Sequence, residues 1–202
     1  HYRTTFMASP EWKNKTVRIV FEGVMTDTRV LINGVQAGEL HQGGFYRFSY
    51  DISELVESDR ENTLEVIVSK HSADRTVNAA ERKADWWLFG GIYRPVYLEI
   101  HPETHISQIW ADPRADGSLN AWVDISGPAR ADALRTVVRE AGGKVIGTFE
   151  KDFKREGSSI SFSCEVEGVK PWTPETPNLY DLEISLLRKE KILHSKTERI
   201  GF

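Results

Sequence analysis

The sequence contains little of what would indicate a disulfide framework, a membrane span or a nucleic-acid surface. Cys164 is its single cysteine, so no intrachain disulfide can form. No apolar stretch approaches the roughly 18 residues that a membrane-spanning helix needs. The 26 basic residues are spread among 30 acidic ones without forming a basic run, which argues against nucleic-acid binding. These absences exclude three broad classes of partner or scaffold.

Patterns of a cofactor or metal site are also missing. No helix follows the glycines after His41, so these glycines indicate a tight turn instead of a phosphate cradle, and His41 is interpreted as structural. The six histidines lack metal-ligand spacing, since His101 and His105 lie four apart on a predicted strand. Cys164 falls in an alternating strand pattern and is predicted to be a small core residue. We therefore predict no cofactor and no metal.

What the sequence does contain is material for two cores. Its 202 residues, 40% of them hydrophobic, suit two domains of about 100 residues each. Period-two alternation dominates the first half, for example at Val17 to Phe21 and Leu64 to Val68. Asn33-Gly34 predicts a type I′ hairpin, and Asp51 to Leu55 could form one helical turn. The first half is therefore predicted to be a β-sandwich.

A second series of strands begins near Thr104. Leu119 to Ile125 alternates, and Ala141-Gly142-Gly143 separates two further strand patterns as a hairpin turn. Seven or so short strands in about 100 residues are typical of an immunoglobulin-like sandwich. We predict an all-β chain with domains at 1–103 and 104–202, and with helix confined to short turns.

The chain begins abruptly in what reads as the interior of a strand, His1 to Phe6. We expect it to be cut from a longer protein, so the sequence predicts no compartment.

Three segments, taken in order, resemble glycoside hydrolase family 2, which contains β-galactosidases, β-glucuronidases and β-mannosidases. Val17 to Gly44 carries F-x-G-V, V-x-x-N-G-like and H-x-G-G-F elements of a sugar-binding jelly roll. Asp85 to Tyr97, DWWLFGGIYRPVY, is similar to D-x-x-x-x-x-G-I-x-R-x-V. Pro171 to Tyr180 resembles W-x-P-x-x-P-x-L-Y. The order and spacing of the segments make coincidence improbable.

The resemblance implies a jelly-roll domain followed by an immunoglobulin-like domain, both non-catalytic. In the family a TIM barrel follows and supplies the catalytic carboxyl pair, which must lie about 5–5.5 Å apart in a retaining enzyme. The expected partners are therefore a carbohydrate substrate and that missing C-terminal barrel, with no nucleic acid and no membrane. The leading hypothesis is part of a β-galactosidase-like enzyme, although galactoside, glucuronide and mannoside specificity are not distinguished. The alternative is a stand-alone carbohydrate-binding or adhesion module.

Asp85, Trp86 and Trp87 are the predicted substrate-binding residues. The resemblance implies that Asp85 reaches the rim of the barrel and accepts hydrogen bonds from sugar hydroxyls; the alternative is a solvated surface aspartate. Trp86 and Trp87 either stack on sugar rings or, as the preferred interpretation, pack at a domain interface. Arg94 is interpreted as a buried or interface structural arginine.

Overall fold

The computed structural model describes residues 1–83, 85, 87, 89–128, 131–153 and 158–202. The chain divides into two compact units, His1–His101 and Pro102–Phe202. Each unit has its own hydrophobic core. Within the described ranges no helix is long and apolar enough to cross a membrane.

The described residues of the first unit form short strands, a short 3₁₀ helix at Pro10–Trp12 and one α-helix. In chain order its elements are β1 (Tyr2–Met7), β2 (Lys15–Phe21), β3 (Val24–Met25), β4 (Thr28–Ile32), β5 (Val35–Gln36), β6 (Phe48–Asp51), β7 (Glu61–Val68), α1 (Arg75–Arg82), β8 (Gly91–Ile92) and β9 (Val96–Pro102). The sheets have the orders β1-β7-β4-β5, β6-β2-β9 and β3-β8. All of the strand pairings given for this unit are antiparallel.

The alternation read from the sequence builds the core of this unit. In β2 the side chains of Val17, Ile19 and Phe21 are buried, and they pack with Val30 and Ile32 of β4. Burying a side chain of this size stabilises the fold by about 1.5–3 kcal/mol. The β-sandwich predicted for the first half is confirmed.

The Asn-Gly hairpin is confirmed in its geometry. Asn33 and Gly34 have φ values of 51° and 82°, as a type I′ turn requires, and β4 pairs with β5 across them. Asn33 also joins the turn to the rest of the unit: its Nδ2 donates to the Leu55 carbonyl at 2.9 Å and to Asn62 Oδ1 at 2.8 Å. The turn is therefore held by its side chain as well as by backbone conformation.

Gly34→Ala is expected to lower the free energy of unfolding by about 1 kcal/mol, because a Cβ disfavours positive φ. A Cβ at Gly34 would meet no atom within 4 Å, so the effect isolates backbone strain. Gly142→Ala is the matched control: it has equal space, and its φ lies outside the left-handed region. Urea unfolding of both variants measures the difference. Equal stabilities would contradict the assignment of strain to Gly34.

The described part of the second unit, residues 102–128, 131–153 and 158–202, contains seven strands, as predicted. They are β10 (His105–Pro113), β11 (Ser118–Ser126), β12 (Ala133–Glu140), β13 (Val145–Asp152), β14 (Ser159–Glu165), β15 (Tyr180–Arg188) and β16 (Lys191–Ile200). One sheet has the order β10-β11-β14 and the other β13-β12-β15-β16. This three-plus-four arrangement of antiparallel strands confirms the immunoglobulin-like sandwich.

The core of the second unit lies between its two sheets. Leu119, Val123 and Leu182 are fully buried there. Cys164 is half-buried and packs against this core, and burial raises the pKa of its thiol. The thiol therefore behaves as the small hydrophobic group that the sequence predicted.

One local prediction is confirmed and another is wrong. The single helical turn expected at Asp51 to Leu55 is present, since Leu55 N and Val56 N both donate to the Ile52 carbonyl, at 2.9 and 3.1 Å. Helix is not confined to short turns, however, since α1 has eight residues. Periodicity could not reveal α1 because none of its residues is fully buried, and its half-buried face, which includes Asn78, Glu81 and Arg82, is mostly polar and forms no apolar stripe.

Candidate functional site

The segment predicted to contact substrate lies in the first unit, between α1 and β8. Asp85 is exposed, and the side chain of Trp87 is 86% exposed. Trp86 lies outside the described residues. The carboxylate of Asp85 and the indole of Trp87 are thus both presented to solvent. The contacts at the two ends of the segment determine where these groups stand.

A buried carboxylate fixes the chain before α1. The Asp27 carboxylate accepts hydrogen bonds from Ser72 Oγ at 2.6 Å, Ala73 N at 2.7 Å and Gln42 Nε2 at 3.3 Å. Burial alone would raise the pKa of Asp27, but these hydrogen bonds outweigh it and hold the pKa below its ordinary value. Asp27 has φ 26° and is only 9% exposed, so it is a fixed anchor for the loop.

The start of α1 is capped from its own sequence. The Asp74 carboxylate accepts hydrogen bonds from Thr76 Oγ1 and Thr76 N, each at 2.7 Å. Both hydrogen bonds lower the pKa of Asp74, and the bond from the Thr76 hydroxyl has the larger effect. One residue pair closes the turn before the cap: Ser72 N donates to Asn78 Oδ1 at 3.0 Å, and Asn78 Nδ2 donates to the Ser72 carbonyl at 2.6 Å. The helix is thereby stabilised although none of its residues is fully buried.

The end of α1 is joined to the glycine-rich loop and to the chain after β8. Gly44 N donates to both Glu81 carboxylate oxygens, at 2.9 and 3.1 Å. The Gly44 carbonyl accepts the Tyr93 hydroxyl at 2.5 Å. Gly43 N donates to Thr26 Oγ1 at 3.0 Å, and Gly43 has φ 105°, which a glycine tolerates best. The glycines after His41 therefore form the tight turn expected from the sequence.

His41 is integrated into this loop. Its backbone forms a bridge with Thr28, and its ring stacks on Phe48 with centroids 3.6 Å apart and lies edge-on to Tyr46. Burial lowers the pKa of His41, against opposing effects from the Gly43 backbone and Glu81. The geometry is that of a packed ring, in agreement with the structural interpretation.

Two groups near α1 stay unsatisfied within the described part of the chain. The three guanidinium nitrogens of Arg82 and Nε2 of His41 are buried without a hydrogen-bond partner there. Buried polar atoms in native proteins nearly always have a partner.

The chain after the segment is fixed by β8. Gly91 pairs with Met25 and Ile92 with Val24, and Gly91 has φ 71°. A φ in this region favours glycine, because a Cβ disfavours the left-handed conformation. The sequence motif G-I therefore marks the point at which the loop rejoins the sheet.

Arg94 is not buried, and that part of its interpretation is wrong. Its side chain is exposed, and its Cζ lies 5.4 Å from the centroid of the Tyr93 ring. This cation–π contact keeps the guanidinium in water while its stem covers the neighbouring ring. An interface role for Arg94 stays a prediction.

An exposed carboxylate and an exposed indole are groups of the kind that bind sugars. A carboxylate accepts strong hydrogen bonds from hydroxyls, and an indole face packs against apolar ring surfaces. In the described part of the chain, no group of three or more His, Cys, Asp and Glu side chains could hold a metal ion. The other acids at this edge, Asp27 and Glu81, are already occupied by structural hydrogen bonds.

Sequence reasoning missed Asp27, Glu81 and α1, which support the loop. The spacing of Asp74 and Thr76 was an available helix-start signal. Asp27 and Glu81 gave no local signal, since their partners lie 45 and 37 residues away along the chain.

The chain consists of two all-β sandwich units, and the first exposes the carboxylate of Asp85 and the indole of Trp87. Comparison with known families identifies the class of protein to which these units belong. Residues 1–102 match the sugar binding domain of glycosyl hydrolases family 2, and residues 104–202 match a second domain of glycosyl hydrolases family 2. The chain belongs to glycosyl hydrolases family 2, and the resemblance seen in its motifs is confirmed.

Individual relatives agree with this assignment. The chain is 30% identical to a β-galactosidase of Thermoanaerobacter pseudethanolicus, over 99% of this chain and 28% of the relative. It is 31% identical to a putative β-glucuronidase of Formosa agariphila, over 100% of this chain and 24% of the relative. Among solved structures it resembles a Bacteroides uniformis β-glucuronidase, with a TM-score of 0.82, 26% identity, and coverage of 99% of this chain and 26% of the other.

The chain thus spans about a quarter of the length of these curated relatives. It corresponds to their non-catalytic sandwich domains, as predicted.

Proposed function

We propose that the chain is the accessory portion of a β-galactosidase-like glycosidase, in which it braces a TIM barrel and lends a loop to the substrate pocket. The observation that carries the proposal is that Asp85 and Trp87 are both exposed, in the part of the chain between α1 and β8. The domain division at 1–103 and 104–202 is supported by the matched ranges. The carbohydrate substrate and the barrel are the proposed partners.

In this proposal Asp85 accepts hydrogen bonds from the hydroxyl groups of the substrate. Its carboxylate is free in solvent, whereas the carboxylates of Asp27 and Glu81 are used to hold the loop in place. Binding groups placed on a rigid support lose less entropy when they bind. Trp86 and Trp87 are proposed to line the same pocket, either against the sugar or against the barrel.

The bracing role is supported by the exposed guanidinium of Arg94, which is available to a carboxylate or carbonyl of another domain.

The isolated chain is expected to hydrolyse no aryl glycoside above background, because the proposal places both catalytic carboxyl groups in the barrel. Nitrophenyl β-galactoside, β-glucuronide and β-mannoside are the substrates for the assay. A protein extended through the barrel is the positive control. Turnover that follows the isolated chain through purification would contradict the proposal.

The alternative, a stand-alone carbohydrate-binding module, requires the first unit to bind sugar on its own. Calorimetric titration of the chain with galactose and lactose separates the two. A micromolar dissociation constant that Asp85→Ala eliminates would favour the alternative, because a pocket shared with a barrel should bind only weakly without it.

A further inference from the structure

The outer face of the sheet β10-β11-β14 carries two neighbouring exposed tryptophans. Trp110 of β10 and Trp122 of β11 are directly paired in the antiparallel register. Their side chains are 59% and 45% exposed. Paired positions have Cβ atoms about 4.5–5.5 Å apart, which is comparable to the length of one pyranose ring. Two large apolar rings thus stand side by side on the surface of a rigid sheet.

Their surroundings are polar and hydroxyl-rich. The row on one side pairs Gln108, Asp124 and Ser159, and the row on the other side pairs Asp112, Asn120 and Ser163. Ser161 extends the tryptophan row itself, as the partner of Trp122. Amide, hydroxyl and carboxylate groups therefore flank both edges of the rings.

No lysine or arginine points outward from the three strands. The outward positions are Gln108, Trp110, Asp112, Ser118, Asn120, Trp122, Asp124, Ser126, Ser159, Ser161, Ser163 and Glu165. Two cations stand at its margins: Arg114 pairs with Asp112 at 2.7 Å, and Lys151 Nζ donates to the Ser161 carbonyl at 2.7 Å. The face therefore carries a small net negative charge, which disfavours anionic ligands. It offers hydrogen-bond acceptors and hydroxyls to a neutral, hydroxyl-bearing ligand.

The other sheet of the same unit, β13-β12-β15-β16, provides a comparison, because its exposed face is an ordinary solvated surface. Its exposed side is crossed by Arg–carboxylate pairs: Arg135 with Glu150, Arg139 with Glu183 and Arg199 with Asp181. No tryptophan occurs in the four strands of that sheet. The two faces of one sandwich therefore differ in kind.

Side-chain hydrogen bonds connect one ring and one flanking row to their neighbours. Trp110 Nε1 donates to Asp124 Oδ2 at 3.4 Å, and Ser163 Oγ donates to Asn120 Oδ1 at 2.7 Å. A tryptophan has few rotatable bonds, so it offers a large surface at low entropic cost.

We propose that Trp110 and Trp122 form a binding site for a neutral oligosaccharide, separate from the Asp85 loop. The negative faces of the indoles attract the polarised C–H groups of pyranose rings. The flanking rows, Asn120 and Asp124 among them, bind the equatorial hydroxyls. The site does not depend on the proposed function, since the described residues that form it all belong to the second unit.

Affinity electrophoresis of the 202-residue chain tests this site. Native gels contain one of three neutral polysaccharides, namely galactomannan, arabinoxylan or hydroxyethylcellulose, or the anionic polygalacturonate. At least one neutral polysaccharide should retard the chain, and polygalacturonate should not. Trp110→Ala and Trp122→Ala should each weaken the retarding interaction at least fivefold, and the double variant should eliminate it.

Trp172→Ala is the matched control, since Trp172 is 46% exposed and lies outside these strands. It should bind as the unaltered chain does. If Trp110→Ala does not fold, Trp110→Phe keeps a ring of reduced area and should bind with intermediate strength. Asp85→Ala should leave polysaccharide binding unchanged. Failure of the tryptophan site can therefore be distinguished from failure of the proposed function of Asp85.

Three outcomes would overturn the proposal. These are no retardation by any neutral polysaccharide, retardation that survives the double variant, and dimerisation in sedimentation equilibrium that Trp122→Ala abolishes. The last would assign the face to a second copy of the chain.

Discussion

Replacing Asp27 by alanine is expected to lower the free energy of unfolding of the first unit by about 3 kcal/mol. The change leaves the Ser72 hydroxyl and the Ala73 N–H without their acceptor, and a buried donor left unsatisfied costs about 1–3 kcal/mol. Hydrogen bonds to a charged acceptor lie at the upper end of that range. Urea unfolding, followed through amide resonances of each unit separately, measures the effect.

Three comparisons sharpen this prediction. Asp27→Asn keeps one acceptor oxygen and should cost less than alanine. Asp85→Ala removes an exposed carboxylate from the same unit and should change stability by less than about 0.5 kcal/mol. Resonances of the second unit should report an unchanged midpoint in all variants. A loss below 0.5 kcal/mol for Asp27→Ala would show that the network does not hold the loop.

The same carboxylate makes stability depend on pH. Because the pKa of Asp27 is lower in the folded state than the unfolded value of about 3.9, its contribution is complete above that value. It is lost as the pH falls through the folded pKa. The difference in stability between the unaltered chain and Asp27→Ala should therefore shrink below about pH 4.

The sequence predicted the sheets well because their signals are local. Alternation such as Val17, Ile19 and Phe21 directly reflects which side chains are buried, and Asn33-Gly34 specifies its own turn geometry. The seven strands of the second unit followed from turn signals at regular spacing. In these regions residues close together in the sequence determine where the strands and turns form.

The loop support could not be predicted in this way. Asp27 and Glu81 act on residues far along the chain, and no residue of α1 is fully buried, so neither alternation nor an apolar stripe marks them. Trp110 and Trp122 sit at alternate positions of strands that the sequence did predict, but their pairing depends on register. These four side chains differ from others of the same type in the sequence only by their position in the fold.

Asp85→Ala, introduced into a protein that includes the barrel, is expected to lower kcat/KM at least tenfold, which corresponds to about 1.4 kcal/mol of lost transition-state stabilisation. One hydrogen bond to a charged acceptor is worth about 1.5–3 kcal/mol. Asp85→Asn, which keeps an acceptor but not the charge, should lose less. Steady-state kinetics with the best of the three nitrophenyl glycosides measures both variants.

The partition between KM and kcat tests whether Asp85 touches substrate. A carboxylate that binds hydroxyls in the ground state as well as in the transition state should act mainly through KM. Asp152→Ala, an exposed aspartate of the second unit, is the matched control and should leave both constants unchanged. A destabilised protein with unaltered kinetics would make Asp85 structural. Stability within about 0.5 kcal/mol together with a raised KM is the combination that only a substrate contact produces, since a surface carboxylate without a ligand influences neither.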